Sequence, residues 1–209
     1  MKTKLKKIVV FLLVSSLLCG LCCVAAAAEG DPNAPVVQFS ICARVIFFGH
    51  VWLYFRNITD HDVRVGAYTL SPGRGVSVGT MSLSRGDGAG IYYNIEAYMT
   101  HRMGGFGSVG RTMTLNQAQL DVVNDKILED NSWSMKKNCC SFATKVWNSV
   151  APDHVGNHTL PVVVKSRIGS GGCPRMDDPS RNDVYRQHGN GWGASLSRVN
   201  NRSLIMYVG

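Results

Sequence analysis

The ten residues Asn138 to Trp147, NCCSFATKVW, decide how the rest of the chain is read. Cys139, Ala143, Val146 and Val150 stand at i, i+4, i+7 and i+11, the spacing of one helix face. That spacing predicts a helix over 139–150 opening on Cys139. At a helix N-terminus the unsatisfied N–H groups and the macrodipole favour negative charge, so a cysteine there is inclined toward its nucleophilic thiolate form. A thiolate nucleophile needs a proton shuttle, and GHVWLYF, Gly49 to Phe55, offers His50 at the start of an apolar strand-like stretch. The competing readings are a buried or disulfide-bonded helix cysteine for Cys139 and a satisfied core histidine for His50. Cys140 lies about 100° further round the helix. It reads as structural, bonded to Cys42 or Cys173.

Around these two stretches the chain divides into a strand-rich half and a helical part. Val36 to Phe48 is β-branched and aromatic, and His50 to Asn57 (HVWLYFRN) continues that character. Turn residues over Ile58 to Asp62 lead into Val63 to Leu70, so 50–57 and 63–70 are expected to pair as an antiparallel hairpin. Val76 to Leu83 is a further strand after the SPGRG turn. Ser84 to Gly90 is a loop, and Ile91 to Met99 (IYYNIEAYM) is expected as another strand. Trp52, Tyr54, Tyr92 and Tyr98 read as core aromatics along these strands. The period then changes: Thr114 to Glu129 is expected to be a helix, with Thr114 and Gln117 as an S/T-x-x-Q capping box. Its apolar stripe is read through Leu115, Ala118 and Val122, with Leu120, Val123 and Ile127 beside them. From Ala151 onward Gly, Asn and Ser dominate. Val162 to Ile168 reads as a short helix or strand and Ser203 to Val208 as a last strand.

The first thirty residues change the meaning of the composition. Lys2, Lys4, Lys6 and Lys7 precede an apolar run, Ile8 to Val24, and Ala25 to Ala28 supply an A-x-A exit before Glu29. That order describes a secretory signal peptide, residues 1–28. The stretch could also just span a bilayer as an uncleaved anchor, but the small residues at its exit and the polar ones beyond favour cleavage. The whole chain has 209 residues, 22 Lys+Arg against 14 Asp+Glu, a net charge of +8 and seven Cys. Four Lys and no acid lie in the signal, so the remainder carries +4, scattered among acids. Nucleic-acid binding has little support from such a distribution. A mild positive charge suits an anionic cell surface.

Four cysteines, Cys42, Cys139, Cys140 and Cys173, lie beyond the signal. In an exported chain they allow two disulfides in three connectivities. Neighbouring cysteines rarely bond to each other, so a two-bridge scheme would tie Cys139 and Cys140 separately to Cys42 and Cys173. Beyond the signal no C-x-x-C spacing points to a metal, and the H-x-x-x-H pair His154 and His158 has no further cysteine or histidine clustered with it in sequence; no cofactor motif is present. Asn57, Asn157 and Asn201 head N-x-S/T sequons, which matter only in a eukaryotic host.

A Gly-His strand, a second strand, and then N-C-x-x-F-A at a helix start resemble the circularly permuted branch of the papain-like superfamily. That branch includes relatives of NlpC-type cell-wall peptidases and lecithin:retinol acyltransferase-like enzymes, in which the histidine precedes the cysteine. The resemblance covers about residues 45–150 and extends to exported bacterial proteins of this type. It implies an α+β domain, an antiparallel sheet packed by the helix that carries the cysteine, with Cys139 as nucleophile and His50 as base. The branch usually adds a polar residue from the next strand to orient the imidazole. The hairpin expected above would place Tyr68 or Thr69 there, neither of the usual type, and Glu96 on a neighbouring strand is the carboxylate candidate. A solvent-facing strand residue is its plainer alternative.

The sequence therefore leads to two expectations. One is a secreted or cell-surface domain, residues 29–209 with a core over about 36–150 and an irregular part over 151–209. It would act as a cysteine hydrolase or acyltransferase through Cys139, His50 and Glu96 on an amide or ester. A peptidoglycan peptide is the substrate most in keeping with export, and a lipid acyl ester is its rival. The other is a disulfide-stabilised secreted module that binds surfaces without catalysis.

Overall fold

A seven-stranded antiparallel sheet in the order β7-β1-β2-β5-β6-β8-β9 forms the body of the protein. Its strands are β1 (Pro35–Arg44), β2 (His50–Asn57), β5 (Gly75–Leu83), β6 (Gly88–Tyr93), β7 (Val109–Asn116), β8 (Tyr185–His188) and β9 (Ser195–Arg198). A separate ribbon pairs β3 (Val63–Val65) with β4 (Tyr68–Leu70). The helices are α1 (Ile95–Met103), α2 (Gln117–Leu128), α3 (Cys139–Asn148) and α4 (Pro161–Ile168). The computed structural model describes residues 31–45, 49–83, 87–103 and 107–200. The expected signal segment and the expected strand Ser203–Val208 lie outside these described residues. Met1–Ala34 and Pro35–Gly209 cluster as two units. In the first, a turn is closed by the Ala34 N–H donating to Asp31 O at 2.8 Å.

Both faces of the sheet are covered, which explains why β2 is buried almost throughout and not only at alternate positions. One set of side chains, among them Phe39, Leu53, Phe55 and Val78, packs against Cys140, Ala143, Val146 and Trp147 of α3 and Leu120, Val123 and Ile127 of α2. Phe39 stacks on Phe55 with centroids 4.7 Å apart and meets Trp147 at 5.2 Å. On the other face Cys42, Trp52 and Tyr54 pack against Ala97 of α1 and Met176. Burying side chains as large as these supplies on the order of 1.5–3 kcal/mol each. A mixed α+β fold built on a large antiparallel sheet is what the chain adopts.

Several sequence expectations are corrected. β2 does not pair with 63–70; its neighbours are β1 and β5. The 63–70 stretch folds on itself because Gly66 takes a φ of +57°, the left-handed conformation that tight hairpin turns require. Asn57 pins the ribbon, its Nδ2 donating to His61 O at 2.7 Å and Leu70 O at 2.9 Å. That amide is buried, so the Asn57 sequon is not open to a glycan. IYYNIEAYM is not one strand: β6 ends at Tyr93 and α1 begins at Ile95. Asn94 makes the break, with a φ of 65° that asparagine tolerates better than most residues.

The helix expected from Thr114 starts later. Thr114 and Leu115 extend β7 along β1, and the capping box is Asn116 with Gln119. The buried stripe of α2 is Leu120, Val123 and Ile127, whereas Val122 is 42% exposed. The region after residue 151 is also more regular than its composition suggests, since it supplies α4 and the sheet strands β8 and β9.

Candidate active site

β2 and β5 part company at the site. Their pairing runs from Arg56–Gly75 to Leu53–Val78 and stops there. His50 to Trp52 continue beside β1 alone, and Gly79 to Leu83 beside β6 alone. The Val51 N–H, which no longer ladders to β5, donates instead to the Cys139 sulfur. The thiol thus sits at the mouth of the split, at the start of α3.

The local sequence of α3 explains this placement. Asn138 is the N-cap, and its Oδ1 accepts from the N–H groups of Cys140 at 3.0 Å and Ser141 at 3.2 Å, as N-cap asparagines do. Its Nδ2 donates to Met135 O at 3.2 Å and Thr159 O at 2.9 Å, tying two loops to the helix start. The buried face of α3 comprises Cys140, Ala143, Thr144, Val146 and Trp147. This differs from the expected stripe through Cys139 and Val150. The rotation drives Cys140 fully into the core and leaves Cys139 half-buried at the rim.

His50 stands between two partners. Its Nε2 lies 3.1 Å from Glu96 Oε1, and its imidazole also hydrogen-bonds the Cys139 thiol. With Nε2 engaged by the carboxylate, Nδ1 is the nitrogen open to sulfur. The ring lies nearly parallel to Trp52, centroids 6.0 Å apart at 13°. Gly49 introduces the strand with φ +69°, and a Cβ there would come within 2.8 Å of Pro161 Cβ, so glycine is needed for both backbone shape and space.

Glu96 reaches His50 from α1, not from a strand. The Asn94 turn swings the first turn of α1 over β5, where Glu96 is buried. Its Oε2 accepts from Ser77 Oγ at 2.9 Å, and that hydroxyl accepts from the Ala97 N–H at 3.1 Å. A Cβ on Gly79 would run into Glu96 Oε1 and lie 3.5 Å from His50 Nε2. The glycine therefore leaves the space in which carboxylate and imidazole meet. Tyr68 and Thr69 belong to the β3–β4 ribbon and are not opposite His50; its strand partner is Arg44.

Electrostatics reinforce the arrangement. The Cys139 thiol is held down at about 4, chiefly by the hydrogen bond from the Cys140 thiol, with His50 and the Val51 N–H acting in the same direction against burial. Burial alone would lower His50, but the charge and hydrogen bond of Cys139, joined by those of Glu96, outweigh it and raise the imidazole to about 10. Thiolate and imidazolium are the mutually stabilised state. Cys140 is pushed far up by its neighbour and by burial, so it stays a thiol and donates.

All four cysteines among the described residues are free. Cys140 is bonded to neither Cys42 nor Cys173, because it faces the α3 core while those two lie on the opposite side of the sheet. Among the described residues no group of three or more His, Cys, Asp or Glu side chains gathers as metal ligands would. Sequence reasoning named Cys139, His50 and Glu96, but not Ser77, Gly79 or the capping role of Asn138. An asparagine directly before a helix start was a readable cap signal for the last. Ser77 and Gly79 carried none. No protein-family model, curated protein or solved structure matches the chain.

Proposed function

We propose that this protein is an exported cysteine hydrolase or acyltransferase with a permuted papain-like arrangement. The observation that carries the reading is the His50 imidazole shared between the Glu96 carboxylate and the Cys139 sulfur. Cys139 Sγ attacks the carbonyl carbon of an amide or ester. The developing oxyanion is received at the positive end of α3, where Asn138 already engages the Cys140 and Ser141 amides, so the Cys139 N–H is the amide left for it. His50 gives its proton to the departing amine or alcohol, leaving a thioester on Cys139. It then takes a proton from water or an acceptor hydroxyl as that group attacks, and the thiolate is restored. Glu96 keeps Nε2 engaged and steadies the imidazolium.

Peptide amides of the cell wall are the substrate class in keeping with export, and a lipid acyl ester is the rival. The purified protein is incubated with peptidoglycan stem peptides and, separately, with phospholipid vesicles, and products are identified by mass spectrometry. Cleavage of one substrate, abolished in Cys139→Ala, is the expected result. No turnover of either, with no acyl group on Cys139, would favour the surface-binding alternative.

A further inference from the structure

We propose that Cys42 and Cys173 are a disulfide-forming pair that fastens residues 171–177 across the sheet and leaves Cys139 and Cys140 as thiols. The β1–β7 register sets Cys42 opposite Gly110, a distance of about 4.5–5.5 Å between Cα atoms in antiparallel pairs. Cys173 fills the space that Gly110 leaves: a Cβ on Gly110 would lie 2.8 Å from Cys173 Cα and 3.2 Å from its N. Cys173 packs into the cluster of Cys42, Trp52, Tyr54, Ala97 and Met176. Its thiol hydrogen-bonds that of Cys42. Cys173 is thus stacked over the residue opposite Cys42 with the two thiols in hydrogen-bond contact, the side-chain approach that a disulfide requires.

The segment the bond would fasten is a strap without regular structure. It joins the edge of β7, where Gly110 N–H donates to Gly171 O at 2.8 Å. It then crosses β1 at Cys42 and β2 at Trp52 and Tyr54. At β5 it ends on Asp177, which accepts from Arg56 at 2.8 Å and from the Gly75 N–H at 2.9 Å. The far end is thus held by an ion pair and hydrogen bonds, and the near end has the two sulfurs. Trp52, packed with the strap, stacks beside His50, so the strap backs the strand that carries the imidazole.

Oxidation needs an acceptor, and a low-molecular-weight disulfide supplies it. The half-exposed Cys173 sulfur attacks one sulfur of that reagent, releasing a first small thiol and forming a mixed disulfide. Cys42 then displaces the second small thiol from Cys173. Two protein thiols become one Sγ–Sγ bond, and the reagent leaves as two thiols carrying both protons. This pairing is independent of the chemistry assigned to Cys139.

The full-length protein is equilibrated with oxidised glutathione, quenched with iodoacetamide in denaturant, digested and mapped by mass. The expected product is a reducible cross-linked peptide joining Cys42 to Cys173. Alkylation of both residues, or linkage of either to any other cysteine, overturns the proposal. Thermal unfolding gives a second reading. Adding reductant should lower the midpoint of the oxidised wild type by several degrees, and should leave Cys173→Ser unchanged. An equal drop in both would contradict the pairing.

Discussion

Glu96 Oε1 lies 3.1 Å from His50 Nε2, although the two residues are 46 apart in sequence and on a helix and a strand, respectively. The carboxylate is nearly sealed from water, at 2% side-chain exposure, while the imidazole is 23% exposed. The pair thus has an inner end fixed by Ser77 and an outer end that meets Cys139. A buried anchor holding a more exposed ring is an arrangement suited to orienting a base.

Replacing Glu96 with glutamine keeps the volume and removes the charge. The imidazolium loses its inner partner, and an amide can present N–H₂ instead of oxygen to Nε2. We expect kcat on the active substrate to fall about 10- to 100-fold, with Cys139 still alkylated. Far-ultraviolet circular dichroism should match wild type. Undiminished kcat would remove Glu96 from the machinery.

Gly79→Ala tests the same contact from the opposite strand. The new Cβ runs into Glu96 Oε1, and the carboxylate must withdraw from His50 or β5 must shift. The expected stability loss is about 1–3 kcal/mol, read by urea unfolding, together with a loss of activity resembling that of Glu96→Gln. An alanine variant with wild-type turnover would mean that the space between Gly79 and Glu96 is not needed.

Asn138→Ala removes the α3 cap and the two loop ties to Met135 and Thr159. Loss of an N-cap costs about 0.5–2 kcal/mol, so a lower urea midpoint is expected. The freed Cys140 and Ser141 amides should also leave Cys139 less precisely held, lowering its alkylation rate at neutral pH. A variant with unchanged stability and unchanged thiol reactivity would show that the cap does not position the sulfur.

How far the sequence could be read depended on whether local pattern or tertiary context decided each element. The strand bounds at His50 and Asn57 and the helix opening at Cys139 followed from residue type and periodicity. Its charge and a strand-like neighbourhood single out Glu96 but assign it to a strand, because one asparagine at φ 65° converts that strand-like run into a strand and a helix. The β2 hairpin failed for a similar reason: Gly66 turns 63–70 back on itself, and β1 and β5 take the edges of β2. Thr114 looked like a cap, yet β1 holds it in the sheet. Cys140 facing the core and Cys139 facing His50 is a rotation of part of a helical turn. It depends on where Trp147 and Ala143 pack, which no single-sequence pattern specifies.

The central claim is that Cys139 rests as a thiolate paired with protonated His50. Its thiol is held down at about 4 and the imidazole up at about 10, so the pair spans the interval between them. The direct measurement is the rate of Cys139 alkylation by iodoacetamide from pH 5 to 9, followed by mass mapping of the Cys139 peptide. The account predicts a rate nearly independent of pH in the wild type, and in His50→Ala, where the Cys140 donor remains but the cationic partner is gone, a rate that falls at the acid end of the range and recovers as pH rises. A wild-type rate that instead rises about tenfold per pH unit between 6 and 8, as an unassisted thiol's does, would contradict it.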